Sequence, residues 1–235
     1  MTRTYLEPVD VRQMEQAAVY LRDKLLIRIL FRLGCRISEA LGVAVTDIDF
    51  GRGTVTIQHL KVRVKLACPQ CATRLSKTAK FCPGCGGAVE EVVSKESEHR
   101  RQRTLPVDRD TLNMLREYID RNGAVNNGEK HLLFGVSRGQ AWRIVRDCAA
   151  KANLGYLINP ETGELRGISP HRLRDAFAVL AVKQDDSGDG LRLLQEHLGH
   201  SRFDTTMKYR KVSGEEQKEW YDRIWQNSEA KQTRR

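Results

Sequence analysis

The stretch 169–209, SPHRLRDAFAVLAVKQDDSGDGLRLLQEHLGHSRFDTTMKY, decides how this chain is read. Its apolar spacing predicts helices at about 170–184 and 190–199, then a short one at 203–209. Along them come His171 and Arg174, then His200, then Tyr209, nine residues past His200. Each of these residues alone has an ordinary explanation: a solvated arginine, a paired histidine, a packed tyrosine. Asp185, Ser187, Asp189, Gly190 and Glu196 also fit the frame of a calcium-binding loop, but Arg192 occupies its apolar position. Asp189 is better read as the cap of the 190–199 helix.

Working outward, 154–167 reads as a loop with Asn-Pro and Thr-Gly turn signals, and 137–152 and 109–121 read as helices. At the other end, 10–22 has helical spacing with Asp10 as its cap, and 23–33 is a more apolar helix. Gly34 interrupts it, and Ser38 caps a short helix at 39–43. Residues 54–66, TVTIQHLKVRVKL, alternate and are β-branched, so they read as a strand, with 88–93 and 100–107 as returning strands. The expected class is α+β: mainly helical with a small antiparallel sheet. The expected division is 1–61 and 99–214 as one domain, 62–98 as an insertion in the hairpin, and 215–235 as a tail helix.

The chain has 235 residues and a net charge of +10, enough to suggest a polyanionic partner such as nucleic acid. No apolar run approaches the roughly 18 residues of a membrane span, and the N-terminus lacks the apolar core of a signal peptide. A cytoplasmic, nucleoid-associated protein with no membrane partner is expected. Aromatic residues make up only 6%, so stacking on aromatic platforms is not the expected mode of nucleic-acid binding.

Four of the six cysteines form two knuckles, Cys68-Pro69-Gln70-Cys71 and Cys82-Pro83-Gly84-Cys85, separated by ten residues. This is the spacing of a four-cysteine zinc ribbon, with one Zn²⁺ per chain, structural and closed to substrate. Leu75 and Phe81 are the only large hydrophobes between the knuckles, so the metal is expected to fold the module. Cys35 and Cys148 read as buried small hydrophobes on helix-like stretches. The insert's outgoing side is basic (Lys61, Arg63, Lys65, Arg74, Lys77, Lys80) and its returning side acidic (Glu90, Glu91, Glu96, Glu98).

Four motifs occur in order: Gly34-Cys35-Arg36-Ile37-Ser38-Glu39-Ala40-Leu41; Ser169-Pro170-His171-Arg172-Leu173-Arg174; Leu198-Gly199-His200-Ser201; and Thr205-Thr206-Met207-Lys208-Tyr209. Together they resemble the tyrosine recombinase (phage integrase) family over about 10–215. The resemblance assigns Lys61 as the strand lysine and Arg103-Thr104-Leu105-Pro106-Val107 as the return strand. It implies a site-specific recombinase that cuts and rejoins double-stranded DNA as a homo-oligomer. The tail, with Trp220 and Trp225, would couple the subunits. It also implies an N-terminal helical clamp, which leaves three alternatives: a short recombinase, a clamp supplied by a separate chain, or a sequence that is a piece of a longer one. The rival readings are a type IB topoisomerase and a non-catalytic zinc DNA-binding protein.

The chemistry stands on the residues themselves. A phosphodiester is anionic with a poor leaving group, so a metal-independent enzyme must supply charge and protons from side chains. Arg36 and Arg174 suit the phosphate oxygens, and neither is expected in the core. Lys61 suits the acid that protonates the 5′ oxygen. His171 suits a base or hydrogen-bond partner, His200 a donor to a non-bridging oxygen, and Tyr209 the nucleophile that forms a 3′-phosphotyrosyl link. No cofactor is expected for the chemistry. Glu39 is expected to orient a cation, and His197 stays outside the site.

Overall fold

Residues Leu21–Arg32 form a helix, α2, that buries Leu25, Leu26, Ile27, Ile29, Leu30 and Phe31. A helix apolar over so much of its surface has to be surrounded. The surrounding helices are α1 (Pro8–Ala17), α3 (Ile37–Leu41), α4 (Arg109–Asp120), α5 (Arg138–Lys151) and α6 (Pro170–Gln184), each packed on α2. The Arg28 guanidinium on α2 pairs with Glu15 on α1, Nε to Oε2 at 3.0 Å, which ties the first two helices together. α7 (Gly188–Leu198) packs on α6, and α8 (Asp204–Met207) on α7. The computed structural model describes residues 3–76, 78–89, 93–159 and 162–210, with backbone alone for 59–65 and 93–101.

A 3₁₀ turn at Val45–Asp47 leads into the sheet. β1 (Ile48–Asp49) pairs antiparallel with β2 (Thr54–Ala67), Ile48 facing Val55. β2 also pairs with β3 (Arg74–Leu75), Leu66 facing Leu75, and with β4 (Val93–Pro106). Two small antiparallel ribbons follow, β5 (Val125–Asn127) with β6 (Lys130–Leu132), and β7 (Leu157–Ile158) with β8 (Leu165–Arg166). The chain divides into two compact units, one of residues up to Thr56 and from Thr104 on, the other Ile57–Arg103. Among the described residues no helix is long and apolar enough to cross a membrane.

The α+β class is as expected, and the differences lie in the caps and the sheet. Glu7, not Asp10, is the N-cap of α1; Asp10 sits one turn in and its carboxylate accepts from the Glu7 backbone N–H at 2.9 Å. Arg36 rather than Ser38 precedes α3, because Glu39 reaches back to the Arg36 backbone N–H at 2.8 Å. Ser187, not Asp189, caps α7, its hydroxyl accepting from Gly190 at 3.0 Å. Asp189 belongs to the first turn instead, where a carboxylate favours the helix dipole. Cys35 is buried as expected, but in the linker between α2 and α3 rather than on a helix. The return strand is one continuous strand, Val93–Pro106, so the charged run between the two expected pieces is strand as well. The tail at 215–225 lies outside the described residues.

Gly34 ends α2 with φ +55°, and a Cβ there would lie 2.5 Å from Phe177 Cδ1 on α6. Gly34→Ala is expected to destabilise the fold by about 1–2 kcal/mol from the left-handed backbone alone, plus the displacement of Phe177. Thermal unfolding checks this; an unchanged midpoint would contradict it.

Candidate active site

Arg174 lies on the first turns of α6 and is 3% exposed. The expectation that it stands outside the core is therefore corrected. Its guanidinium donates to Gly34 O at 2.6 Å and Leu198 O at 2.8 Å, carbonyls at the ends of α2 and α7. Carbonyls at helix ends lack intrahelical donors, so an arginine fork is a natural partner. Nη2 also lies 3.0 Å from His200 Nε2.

Guanidinium can only donate, so His200 Nε2 accepts from Arg174 and the ring proton sits on Nδ1, facing Thr206 Oγ1 at 2.9 Å. Gly199, with φ +66° at the end of α7, turns the chain to place this imidazole. In this arrangement His200 supports Arg174, and both ring nitrogens face protein partners. Arg36 presents its guanidinium from the start of α3, held by Glu39 Oε1 at 2.8 Å. Glu39 thus orients a cation, as expected, and its buried carboxylate also lies 3.9 Å from Arg174.

Tyr209, just past α8, is 4% exposed and joins the apolar cluster of Ala178, Val179, Leu194 and Leu198. Its hydroxyl donates to Asp175 Oδ1 at 2.8 Å. Burial, then the Asp175 charge and this hydrogen bond, push the phenol well above its usual pKa, with Arg174 pulling the other way. His171 is at the rim, 62% exposed, with Nδ1 3.6 Å from Asp175 Oδ1. Partial desolvation lowers its pKa against the opposing pull of Asp175, and Lys208, Arg172 and Arg174 lower it further.

Arg36, His171, Arg174, His200 and Tyr209 line one cavity of about 360 Å³. Arg138, Thr205 and Lys208 line it too and were not singled out in the sequence. Lys208 adjoins the tyrosine in its own motif and stands 4.8 Å from that ring's centre, so its position was a signal. Arg138 opens α5 and carried none. Lys61 lies within β2, but its side chain is outside those described. His197 takes no part in this cavity; it stacks on Phe177 and faces Leu33 O at 3.1 Å.

The cysteine cluster belongs to the second unit. Backbone N–H groups of Ala72 and Gly86 donate to Cys68 O and Cys82 O, each at 2.9 Å, closing two similar turns. All four sulfurs lie within 4.8 Å of one another, with Cys71–Cys82 at 3.5 Å and Cys68–Cys85 at 3.7 Å. Four thiolates around zinc stand about 3.8 Å apart, given Zn–S bonds of ~2.3 Å in a tetrahedron, so the set could hold such an ion. Thr73, then Cys82, draws Cys71 down to about 6. Gly87 N–H lowers Cys85, but the other three sulfurs hold it up to about 11. Leu75 is buried against this cluster, whereas Phe81 is 66% exposed.

The family model described as the phage integrase family matches residues 4–80 and 88–216. The chain belongs to that family. Within it, tyrosine recombinase XerD of Neisseria meningitidis serogroup A / serotype 4A (strain DSM 15465 / Z2491) is 29% identical over 201 residues, 82% of this chain and 51% of the relative. This integrase-family chain thus spans about half the length of the curated relatives it matches. The crystal structure of XerA recombinase matches with a TM-score of 0.62 at 17% identity, over 95% of this chain and 66% of that one. XerH site-specific recombinase, bound to palindromic difH substrate in a post-cleavage complex, matches with a TM-score of 0.60 at 20% identity, over 96% and 54%. At these identities the two structures speak for the fold.

A phenol whose pKa in the fold exceeds the usual value near 10 stabilises the fold below that pH and loses the contribution as pH rises through it. Stability should therefore fall more steeply above about pH 10 in the wild type than in Tyr209→Phe. Denaturant unfolding at several alkaline pH values checks this; parallel curves would contradict it.

Proposed function

We propose that this chain cuts and rejoins double-stranded DNA through a 3′-phosphotyrosyl link to Tyr209, as a site-specific recombinase. One observation carries the reading: Arg36, His171, Arg174, His200 and Tyr209, drawn from segments far apart in sequence, line a single cavity. Arg36 and Arg174 take the non-bridging phosphate oxygens. His171, at the rim, is a hydrogen-bond partner or base, and His200 holds Arg174 and reaches the phosphate if it re-protonates. Lys61 is the acid for the 5′ oxygen, resting on the motif resemblance alone. The XerH complex with its difH substrate and the net charge of +10 support DNA as the partner.

Assembly on DNA as a dimer to tetramer, subunit coupling through the tail, a clamp from a separate chain and a cytoplasmic, nucleoid-associated setting are part of the same proposal. The domain division at 61/62, 98/99 and 214/215 is proposed with it, as is Zn²⁺ held by Cys68, Cys71, Cys82 and Cys85. The ion would hold the insert's fold and take no part in the phosphate chemistry.

The test is a nicked suicide duplex that traps the cleaved state. The wild type should form a covalent protein–DNA adduct and pass the strand to a second duplex. Tyr209→Phe should bind DNA and form no adduct, and Arg36→Ala should cleave roughly 10²–10³-fold more slowly. An adduct that persists in Tyr209→Phe removes that residue from the mechanism. Relaxation of supercoils by a monomer, without strand transfer, would favour the topoisomerase reading.

For the insert, metal analysis should find one Zn²⁺ per chain, lost in Cys82→Ser. Structural zinc contributes roughly 10–16 kcal/mol of apparent binding energy to modules of this kind. Metal loss should therefore unfold the insert while helical circular dichroism stays near the wild-type value. A zinc-free insert that keeps its protection from proteolysis would contradict this.

A further inference from the structure

Behind the Tyr209 hydroxyl lies a carboxylate for which the proposed chemistry has no role. Asp175 follows Arg174 on α6, and its side chain is 6% exposed. One oxygen, Oδ2, accepts from Arg172 Nη1 at 2.8 Å; the other, Oδ1, accepts the Tyr209 hydroxyl at 2.8 Å. Burying a carboxylate is costly unless it is paired and hydrogen-bonded, and here both oxygens are engaged. The nucleophile's own proton is one of the two that satisfy it. Among the described hydrogen bonds, that of the Tyr209 hydroxyl runs to Asp175. His171 is not its partner there; its Nδ1 approaches the same Oδ1 at 3.6 Å from the exposed side.

We propose that Asp175 is a catalytic residue that accepts the Tyr209 proton as the phenol oxygen attacks phosphorus. The inference rests on the phosphotyrosyl chemistry proposed above. In the step, the Tyr209 O–H bond breaks and its proton passes to Asp175 Oδ1. The freed electron pair forms the Oη–P bond, and the P–O5′ bond breaks; its own electron pair leaves on the 5′ oxygen, which takes a proton from the general acid. In rejoining, the 5′ hydroxyl returns its proton to that acid's conjugate base as it attacks. The Oη–P bond then breaks, and protonated Asp175 gives its proton back to Tyr209.

Transfer ahead of attack is uphill, since a phenol is a far weaker acid than a carboxylic acid. The proton therefore moves together with phosphorus–oxygen bond formation, as general-base catalysis requires. The groups facing the Tyr209–Asp175 pair are Arg172, Arg174 and His171 from α6, His200 stacked on the tyrosine ring, Lys208 beside the tyrosine, and Tyr5 packed against its cluster. Arg172 fixes the carboxylate from behind, which leaves Oδ1 aimed at the phenol. His171 is then left to serve the phosphate.

Asp175→Asn keeps an oxygen that can accept the phenol's hydrogen bond but not its proton. With the full chain and a nicked suicide duplex, single-turnover adduct formation should slow about 10²-fold or more in this variant. 3,5-Difluorotyrosine at position 209, a more acidic phenol, should recover much of that loss, and Asp175→Glu should recover part. An Asp175→Asn protein that cleaves as fast as the wild type or faster overturns the proposal and makes the contact a resting latch. The same loss with difluorotyrosine also overturns it, since a purely structural defect would not depend on the acidity of the phenol.

A second measurement needs no DNA. The ¹³Cζ signal of Tyr209, assigned with Tyr209→Phe, should titrate at higher pH in the wild type than in Asp175→Asn. Coincident midpoints mean that the contact is absent, and the proposal falls with it. A wild type that forms no adduct while the two midpoints differ overturns the phosphotyrosyl function, and the proton-transfer step with it, and leaves only the contact standing.

Discussion

The buried guanidinium of Arg174 is the interaction on which the site depends. It takes the carbonyl of Gly34 after α2 and that of Leu198 at the end of α7 while projecting from α6, so it joins three segments that sequence holds apart. Gly34 makes this possible by adopting φ +55° where Phe177 leaves no room for a side chain. A charge this deep is tolerated because its guanidinium donates to three protein acceptors and Glu39 lies nearby. Arg174 is thus at once a core residue and the wall of the cavity, and stability and charge placement there cannot be separated by mutation. Arg36, held by Glu39 at the start of α3, completes a pair of cations oriented around one carboxylate.

The second organising contact is that between His200 and its two neighbours. Arg174 donates to Nε2 and Thr206 lies on Nδ1, so a neutral imidazole links α6 to the segment that carries the tyrosine. Tyr209 in turn is packed among apolar side chains of α6 and α7 and anchored through Asp175. Tyr209 is therefore placed by the same helices that hold the cations. Placement of this kind ahead of substrate binding is what lowers the cost of charge stabilisation in the transition state.

Much of this was legible in the sequence, for identifiable reasons. The four motifs carry residue types and spacings that fix chemistry, and the structure brings Arg36, His171, Arg174, His200 and Tyr209 to one cavity. The two cysteine knuckles were legible because ligand spacing is local, and their sulfurs do converge. The burial of Arg174 was not: a guanidinium reads as solvated until the carbonyls of distant helix ends are seen to meet it. Asp175 carried no signal because its partner lies 34 positions away. The caps of α1, α3 and α7 were misplaced by two or three residues, where side chains that far apart compete for the same N–H groups. The strand across residues 94–99 was illegible because its run of charged residues lacks apolar alternation; its evidence is pairing with β2.

The cationic pocket is built in the free protein, with Arg174 locked by carbonyl oxygens. The most direct measurement is ¹⁵N NMR of the arginine side chains in the DNA-free protein. A fixed guanidinium gives separate Nη signals and slowly exchanging protons, whereas a solvated one gives averaged signals that exchange quickly. Arg174, assigned by Arg174→Lys, should give resolved, protected Nη signals, and an exposed arginine such as Arg52 averaged ones. Averaged, fast-exchanging signals from Arg174 would contradict it.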